Sequence, residues 1–165
     1  MASKPTKTNA LRLLDTAAVP YVPHEYPVED GAIDAVSIAR KLALPTERMF
    51  KTLVTRSAPR EFHVFVVPSD GDLDLKKAAH AAGAKSIEMI HLKELFPLTG
   101  YVHGGCSPVG MKKPFPTFID DTAILFDTIY VSGGKIGLSM EIAPQALADF
   151  VGAKFCDISR AREQT

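Results

Sequence analysis

Between Phe62 and Val67 every position except His63 is apolar. The run is too short for a buried helix, and a strand with one wet face would alternate apolar and polar side chains. It therefore predicts a central strand. Phe50–Thr55 predicts a second strand just before it. Further strands are expected over Tyr21–Tyr26 (extended after Pro20 and Pro23), Phe115–Ile119, Thr128–Val131, Leu138–Ile142 and Lys154–Ile158. Pro116 lacks an N–H and pushes its strand toward a sheet edge.

Helical spacing appears in fewer places. Ala10, Leu11, Leu14, Ala17 and Ala18 predict a helix over Thr8–Ala18. Asp34 and Asp74 stand where N-caps belong, ahead of Ala35–Leu42 and of a helix ending at Gly83. A short helix is expected over His91–Leu95. Pro144 fits the first turn of a helix with Leu147, Phe150 and Val151 on its apolar face, ended by Gly152. Val28–Asp34, His103–Gly110 and Gly133–Gly134 read as loops or turns. Strands outnumber helices and do not alternate strictly with them. The prediction is an α+β fold with a mixed, strongly curved or barrel-like sheet and flanking helices.

At 165 residues, 46% hydrophobic and 23% charged, the chain is expected to fold as one domain, residues 1–165, with its core over about 8–160. The absence of any apolar run near eighteen residues excludes a membrane-spanning helix. The polar stretch Met1–Lys7 lacks the apolar segment of a secretory signal, and together these place the protein in the cytoplasm. Two cysteines, Cys106 and Cys156, make neither a disulfide framework nor a zinc site, and no cofactor or metal is expected. Lysine plus arginine equals aspartate plus glutamate at 19 each. A protein that grips a nucleic-acid backbone usually carries a basic balance or patch. If RNA is the ligand, the chain holds only its tip or a partner holds the rest.

Four features carry candidate chemistry. Lys51 lies in an apolar strand with Leu53 on its own face. It is either a partly desolvated cation able to pair with a phosphate or polarised carbonyl, or a solvent-facing lysine on a half-exposed sheet. The loop His103–Gly110 contains Gly104, Gly105, Ser107, Pro108 and Gly110. Adjacent glycines let backbone N–H groups approach a phosphate or an oxyanion, though a tight turn uses the same residues. Ser132-Gly133-Gly134-Lys135 lacks the spacing of a Walker loop, and a hairpin turn explains it as well. Cys106 beside His103 suggests a thiol with a base, but no orienting third group is visible, and a small buried cysteine is the commoner state. His24, His63, His80 and His91 have no metal-ligand spacing, and Lys76-Lys77 and Lys112-Lys113 read as solvated pairs with scope to touch RNA phosphates.

Several of these segments, in this order, resemble the YbaK/EbsC family. These are the Cys-tRNA(Pro) deacylases related to the editing insertion of bacterial prolyl-tRNA synthetases. The matching pieces are His24-Glu25-Tyr26, Phe50-Lys51-Thr52-Leu53, Leu73-Asp74-Leu75-Lys76-Lys77, the run Gly104 to Lys113, Ile129 to Lys135, and Gly137-Leu138. They span about Thr8 to Arg160. The resemblance implies a pocket for the tRNA 3′ end with Lys51 as the essential lysine. It places Tyr26, Thr52, the loop Gly104 to Gly110 and Ser132-Gly133-Gly134 around the substrate. It also implies that the cysteinyl thiol of the substrate attacks its own ester, and that prolyl-tRNA synthetase is a partner. Some relatives carry an acidic residue after Gly-Leu where this chain has Ser139, so a contact made by that carboxylate does not transfer. The motifs do not separate Cys-tRNA(Pro) from Ala-tRNA(Pro) or another small aminoacyl ester. A non-catalytic module that holds a nucleotide or tRNA end is the alternative reading from a different class.

Overall fold

The computed structural model describes residues 7–161, so most of the polar stretch Met1–Lys7 lies outside the described residues. In chain order the elements are α1 (Asn9–Thr16), β1 (Val22–Glu25), α2 (Ala35–Lys41), β2 (Phe50–Ala58), β3 (Glu61–Pro68), β4 (Gly71–Leu73), α3 (Leu75–Ala82) and β5 (Glu88–Met89). Then come α4 (Leu95–Thr99), β6 (Thr117–Asp120), β7 (Ile129–Lys135), β8 (Leu138–Ile142), α5 (Pro144–Val151), β9 (Lys154–Cys156) and β10 (Ser159–Ala161).

The strand read from the apolar run is β3, in the middle of a five-stranded sheet ordered β5-β2-β3-β6-β9. It pairs antiparallel with β2 and parallel with β6, and β6 pairs parallel with β9, so the sheet is mixed. Both faces of β3 are covered, which is why its sequence does not alternate. Val66 packs into a core with Leu14, Ile119 and Leu147, under α1 and α5. Phe65 and Val67 point the other way, against Leu73, Ala78 and Ile158 beneath α3. Phe65 is fully buried, and truncating such a side chain to alanine typically costs about 3–5 kcal/mol.

A second sheet, β1-β8-β7, is antiparallel, and β10-β4 forms a small third ladder. A parallel bridge between Met49 and Tyr130 joins the start of β2 to β7. Together the ladders give the α+β arrangement expected, but they remain three separate ladders and do not close into the expected barrel among the described residues.

The helix signals behave as physical chemistry requires. The Thr8 hydroxyl accepts from the Leu11 N–H and donates to the Gly133 carbonyl at 2.6 Å, so one cap ties α1 to β7. Asp74 accepts the N–H groups of Lys76 and Lys77, and Gly83 closes α3 in the left-handed region.

Three expectations change. Pro116 does not mark an edge: it lies just before β6, which has β3 on one side and β9 on the other, and its carbonyl accepts from the Val64 N–H. Gly133 and Gly134 are not the hairpin turn. They lie inside β7, where the register shifts between Ser132 and Lys135, and the turn falls at Ile136-Gly137. Gly133 is needed there because a Cβ would stand 2.7 Å from Leu138 Cγ. The helical stretch after His91 continues past Leu95 to Thr99 and through Pro97, which fits within the first turn of α4.

Candidate active site

On one side β2 pairs with β3 throughout. On the other, the two-residue β5 covers only Thr55 and Arg56. Residues Phe50–Leu53 therefore form a stretch of sheet edge. The Ile90 N–H donates to the Val54 carbonyl on that side, and alternation along an antiparallel ladder turns the N–H and C=O of Thr52 the same way. An edge of this kind must be paired or covered. Here it opens on a cavity of about 270 Å³ lined by the continuous run Met49–Leu53, near the lower end for small-molecule sites. The facing walls come from Tyr26 after β1, Ile33–Val36 at the start of α2, Leu95 of α4, the loop residues His103, Gly104 and Cys106, and Ser132 and Ser139. These two serines are direct cross-strand partners on β7 and β8.

Lys51 is the only lysine or arginine among the described residues lining this cavity. Its register partner is Val67 and that of Leu53 is Phe65, so both share the face toward α3, as alternation predicted. The Lys51 side chain is 25% exposed, with Nζ 3.9 Å from Asp72 Oδ1 on β4. Of the two readings of this lysine, the partly desolvated one fits its burial: it is half-buried at the cavity wall, with an acidic neighbour more open to water. The one carboxylate of the lining, Asp34, is engaged as the cap of α2. Its oxygens accept from the backbone and hydroxyl of Ser37, and these bonds lower its pKa.

The nucleophile candidates are poorly equipped. Burial pushes the Cys106 thiol up to about 12, so the thiolate is essentially absent at neutral pH. Burial also raises the Tyr26 phenol. The Ser107 hydroxyl is fully buried and accepts the Val109 N–H, away from the cavity lining. Thr52 differs: its hydroxyl is buried with no hydrogen-bond partner, the kind of group a polar ligand satisfies.

The structure brings together Tyr26, Lys51, Thr52, Gly104 and Ser132 from the predicted set. It does not place Gly105, Ser107, Pro108, Gly110, Gly133 or Gly134 in the lining. Gly105 donates its N–H to the Val102 carbonyl, and its Cα packs on the Lys135–Ile136 backbone so tightly that a Cβ would lie 2.9 Å from Ile136 N. Gly110 sits under the Tyr101 hydroxyl, and Gly134 under Thr8. Gly104, at φ +89°, would put a Cβ 2.7 Å from Ile33 Cδ1. The glycine loop thus wedges between the α2 entry and the β7–β8 hairpin. That packing carries Gly104 and Cys106 to the cavity. Leu95, Ser69, Ile33, Val36, Ile38 and Ser139 complete the lining and were not read as site residues. Of these only Ser139 had a signal, as the position where relatives place an acid.

A family model described as an aminoacyl-tRNA editing domain matches residues 29–150. The chain belongs to this family. The matched segment contains every wall of the cavity except Tyr26. A relative from Enterococcus faecalis is 44% identical over 161 residues, 96% of this chain and 98% of its own, and carries the provisional name Cys-tRNA(Pro)/Cys-tRNA(Cys) deacylase EbsC. A proline–tRNA ligase of Burkholderia ambifaria is 28% identical over 131 residues, which is 77% of this chain but 23% of the ligase. A solved structure described provisionally as a trans-editing enzyme for prolyl-tRNA synthetase superposes with TM-score 0.79 at 23% identity, covering 94% of this chain and all of its own. A hypothetical protein superposes at TM-score 0.83 and 21% identity over 91% of this chain. At these identities the superpositions establish the fold. No helix among the described residues is long and apolar enough to cross a membrane.

Proposed function

We infer that this editing-family domain, residues 8–160, hydrolyses the aminoacyl ester of a mischarged tRNA, with Cys-tRNA(Pro) as the preferred substrate. The reading rests on family membership and on a relative named as a deacylase of that ester. The observation that carries the mechanism is a cavity with one lysine, one imidazole (His103), several hydroxyls and a thiol whose pKa burial raises. Such a site positions and polarises more readily than it attacks.

The substrate then supplies the nucleophile. Its cysteinyl sulfur attacks the ester carbonyl, the carbon–oxygen ester bond breaks, and the thiol proton ends on the departing ribose oxygen. The resulting four-membered thiolactone opens with water to give free cysteine. Holding thiol and carbonyl together contributes several kcal/mol, up to about 7–11 in favourable cases. Lys51 offsets negative charge on the ester oxygen or the terminal phosphate. The outward N–H and the unpartnered hydroxyl of Thr52 orient the ester, and Tyr26 closes the aminoacyl end.

Prolyl-tRNA synthetase is the proposed partner and the cytoplasm the proposed compartment, because mischarged tRNA forms there. A synthetase separates similar small amino acids by only about 1–3 kcal/mol, so a second hydrolytic site is needed. The test exchanges one atom. Cys-tRNA(Pro) and Ser-tRNA(Pro) differ by sulfur against oxygen, and the reading expects the cysteinyl ester to be cleaved much faster. Equal rates, or faster cleavage of Ala-tRNA(Pro), would replace the substrate-thiol mechanism with water attack.

A further inference from the structure

A neutral chain that handles RNA needs its positive charge in one place. From Met89 to Ile119 the sequence has three lysines, Lys93, Lys112 and Lys113, against one carboxylate, Glu94. That carboxylate is occupied: it pairs with the Arg56 guanidinium and accepts the His91 N–H. All three lysines are exposed. This segment contains α4 and the glycine loop, which reach the cavity wall through Leu95, His103, Gly104 and Cys106, while the three lysines lie outside the lining.

The same segment exposes an aromatic ring. Leu95 lines the cavity, and Phe96 follows it on α4 with 56% of its surface in water. Leu92, one turn earlier, is 65% exposed. The Lys112 Nζ stands 5.8 Å from the Phe96 ring centroid, and the Lys112 N–H donates to the Thr99 carbonyl, fixing that lysine's backbone to the end of α4. Here an exposed phenyl ring carries an ammonium near its face, next in sequence to a residue of the cavity wall.

We propose that Phe96 is a stacking platform for an unpaired nucleobase next to the aminoacylated nucleotide, with Lys112 on the adjoining phosphate. This rests on the reading that the cavity takes the end of an RNA, and it adds a subsite outside the cavity. Base-on-aromatic stacking beside a cation is how sequence-tolerant single-strand sites work. The charge argues for RNA over an apolar protein groove, because protein interfaces are depleted in lysine.

The experiment measures equilibrium binding of a labelled, uncharged single-stranded tetranucleotide RNA ending in CCA. Phe96→Ala and Phe96→Leu weaken binding at least fivefold, the low end of a stacking contribution, and Phe96→Trp stays within about threefold of wild type or tighter. Lys112→Ala lowers the slope of log affinity against log salt by about 0.7. With aminoacyl-tRNA, Phe96→Ala raises KM and leaves kcat unchanged. If Phe96→Leu binds the RNA as wild type does, the platform is wrong. It is equally wrong if Phe96→Ala leaves RNA binding intact and instead abolishes association with prolyl-tRNA synthetase or with a second copy. Failure of wild type to cleave any aminoacyl-tRNA counts against the proposed function, while the uncharged RNA still judges the platform.

Discussion

Lys51 Nζ stands 3.9 Å from Asp72 Oδ1, with the lysine side chain 25% exposed and the aspartate 41%. At that distance and exposure the pair contributes little to stability, since exposed ion pairs are worth about 0–1 kcal/mol. Asp72 lies on the same side as the cavity-lining ammonium, and an incoming phosphate or ester oxygen competes with it for that ammonium. Asp72→Asn should therefore shift thermal stability by less than about 1 kcal/mol. It should change deacylation only a few-fold. Loss of activity on the scale of a Lys51 deletion would make Asp72 part of the machinery.

Cys106 lines the cavity but is held protonated by burial. A raised thiol pKa means the neutral form persists until the pH approaches about 12. Cys106→Ala should keep deacylation within a few-fold, and the rate profile between pH 6 and 9 should be the same in both proteins. Rapid alkylation of Cys106 at neutral pH, or loss of activity in the variant, would restore it as a nucleophile.

Gly104 combines φ +89° with a contact that leaves no room for a Cβ, 2.7 Å from Ile33 Cδ1. Gly104→Ala should destabilise the fold by about 1–3 kcal/mol through the left-handed backbone, with a further contribution from the clash. Adding Ile33→Ala should recover only the clash. A melting temperature for Gly104→Ala equal to wild type would show that the loop is not wedged as described.

How much of this was readable beforehand depends on the kind of residue. Phe62–Val67, Asp34, Asp74 and Gly83 announced their elements because local chemistry alone decides them: a run without alternation, a side-chain cap, a left-handed stop. Pro116 misled because an absent N–H suggests an edge, whereas a proline one residue ahead of β6 costs that strand nothing. Gly133 and Gly134 misled because glycine pairs mark turns more often than bulges, and only the approach of Leu138 and Thr8 shows the difference. The cavity residues from distant segments, Ile33, Leu95 and Ser139, were hidden for the same reason. They meet only when β2 is left with an open edge, and that depends on the two-residue length of β5.

Asp120 is fully buried at the end of β6 and accepts from the backbone and hydroxyl of Thr122 and from the N–H groups of Ile158 and Ser159. It fastens the corner between β9 and β10 to the central sheet. Asp120→Ala strands the buried Ile158 N–H and three part-buried donors and should lower unfolding free energy by about 2–4 kcal/mol in denaturant titration. It should leave residual activity in the folded fraction, because the residue is not in the cavity. A change below about 0.5 kcal/mol would mean that the corner is held by other contacts.

The most direct measurement is the rate of Cys-tRNA(Pro) deacylation by wild type and by Lys51→Ala, with both shown to be folded by circular dichroism. The account predicts turnover by wild type and a loss of at least about a hundredfold in the variant, the scale of removing one charge-stabilising group. Full activity in Lys51→Ala, or none in wild type on any mischarged tRNA, would contradict it.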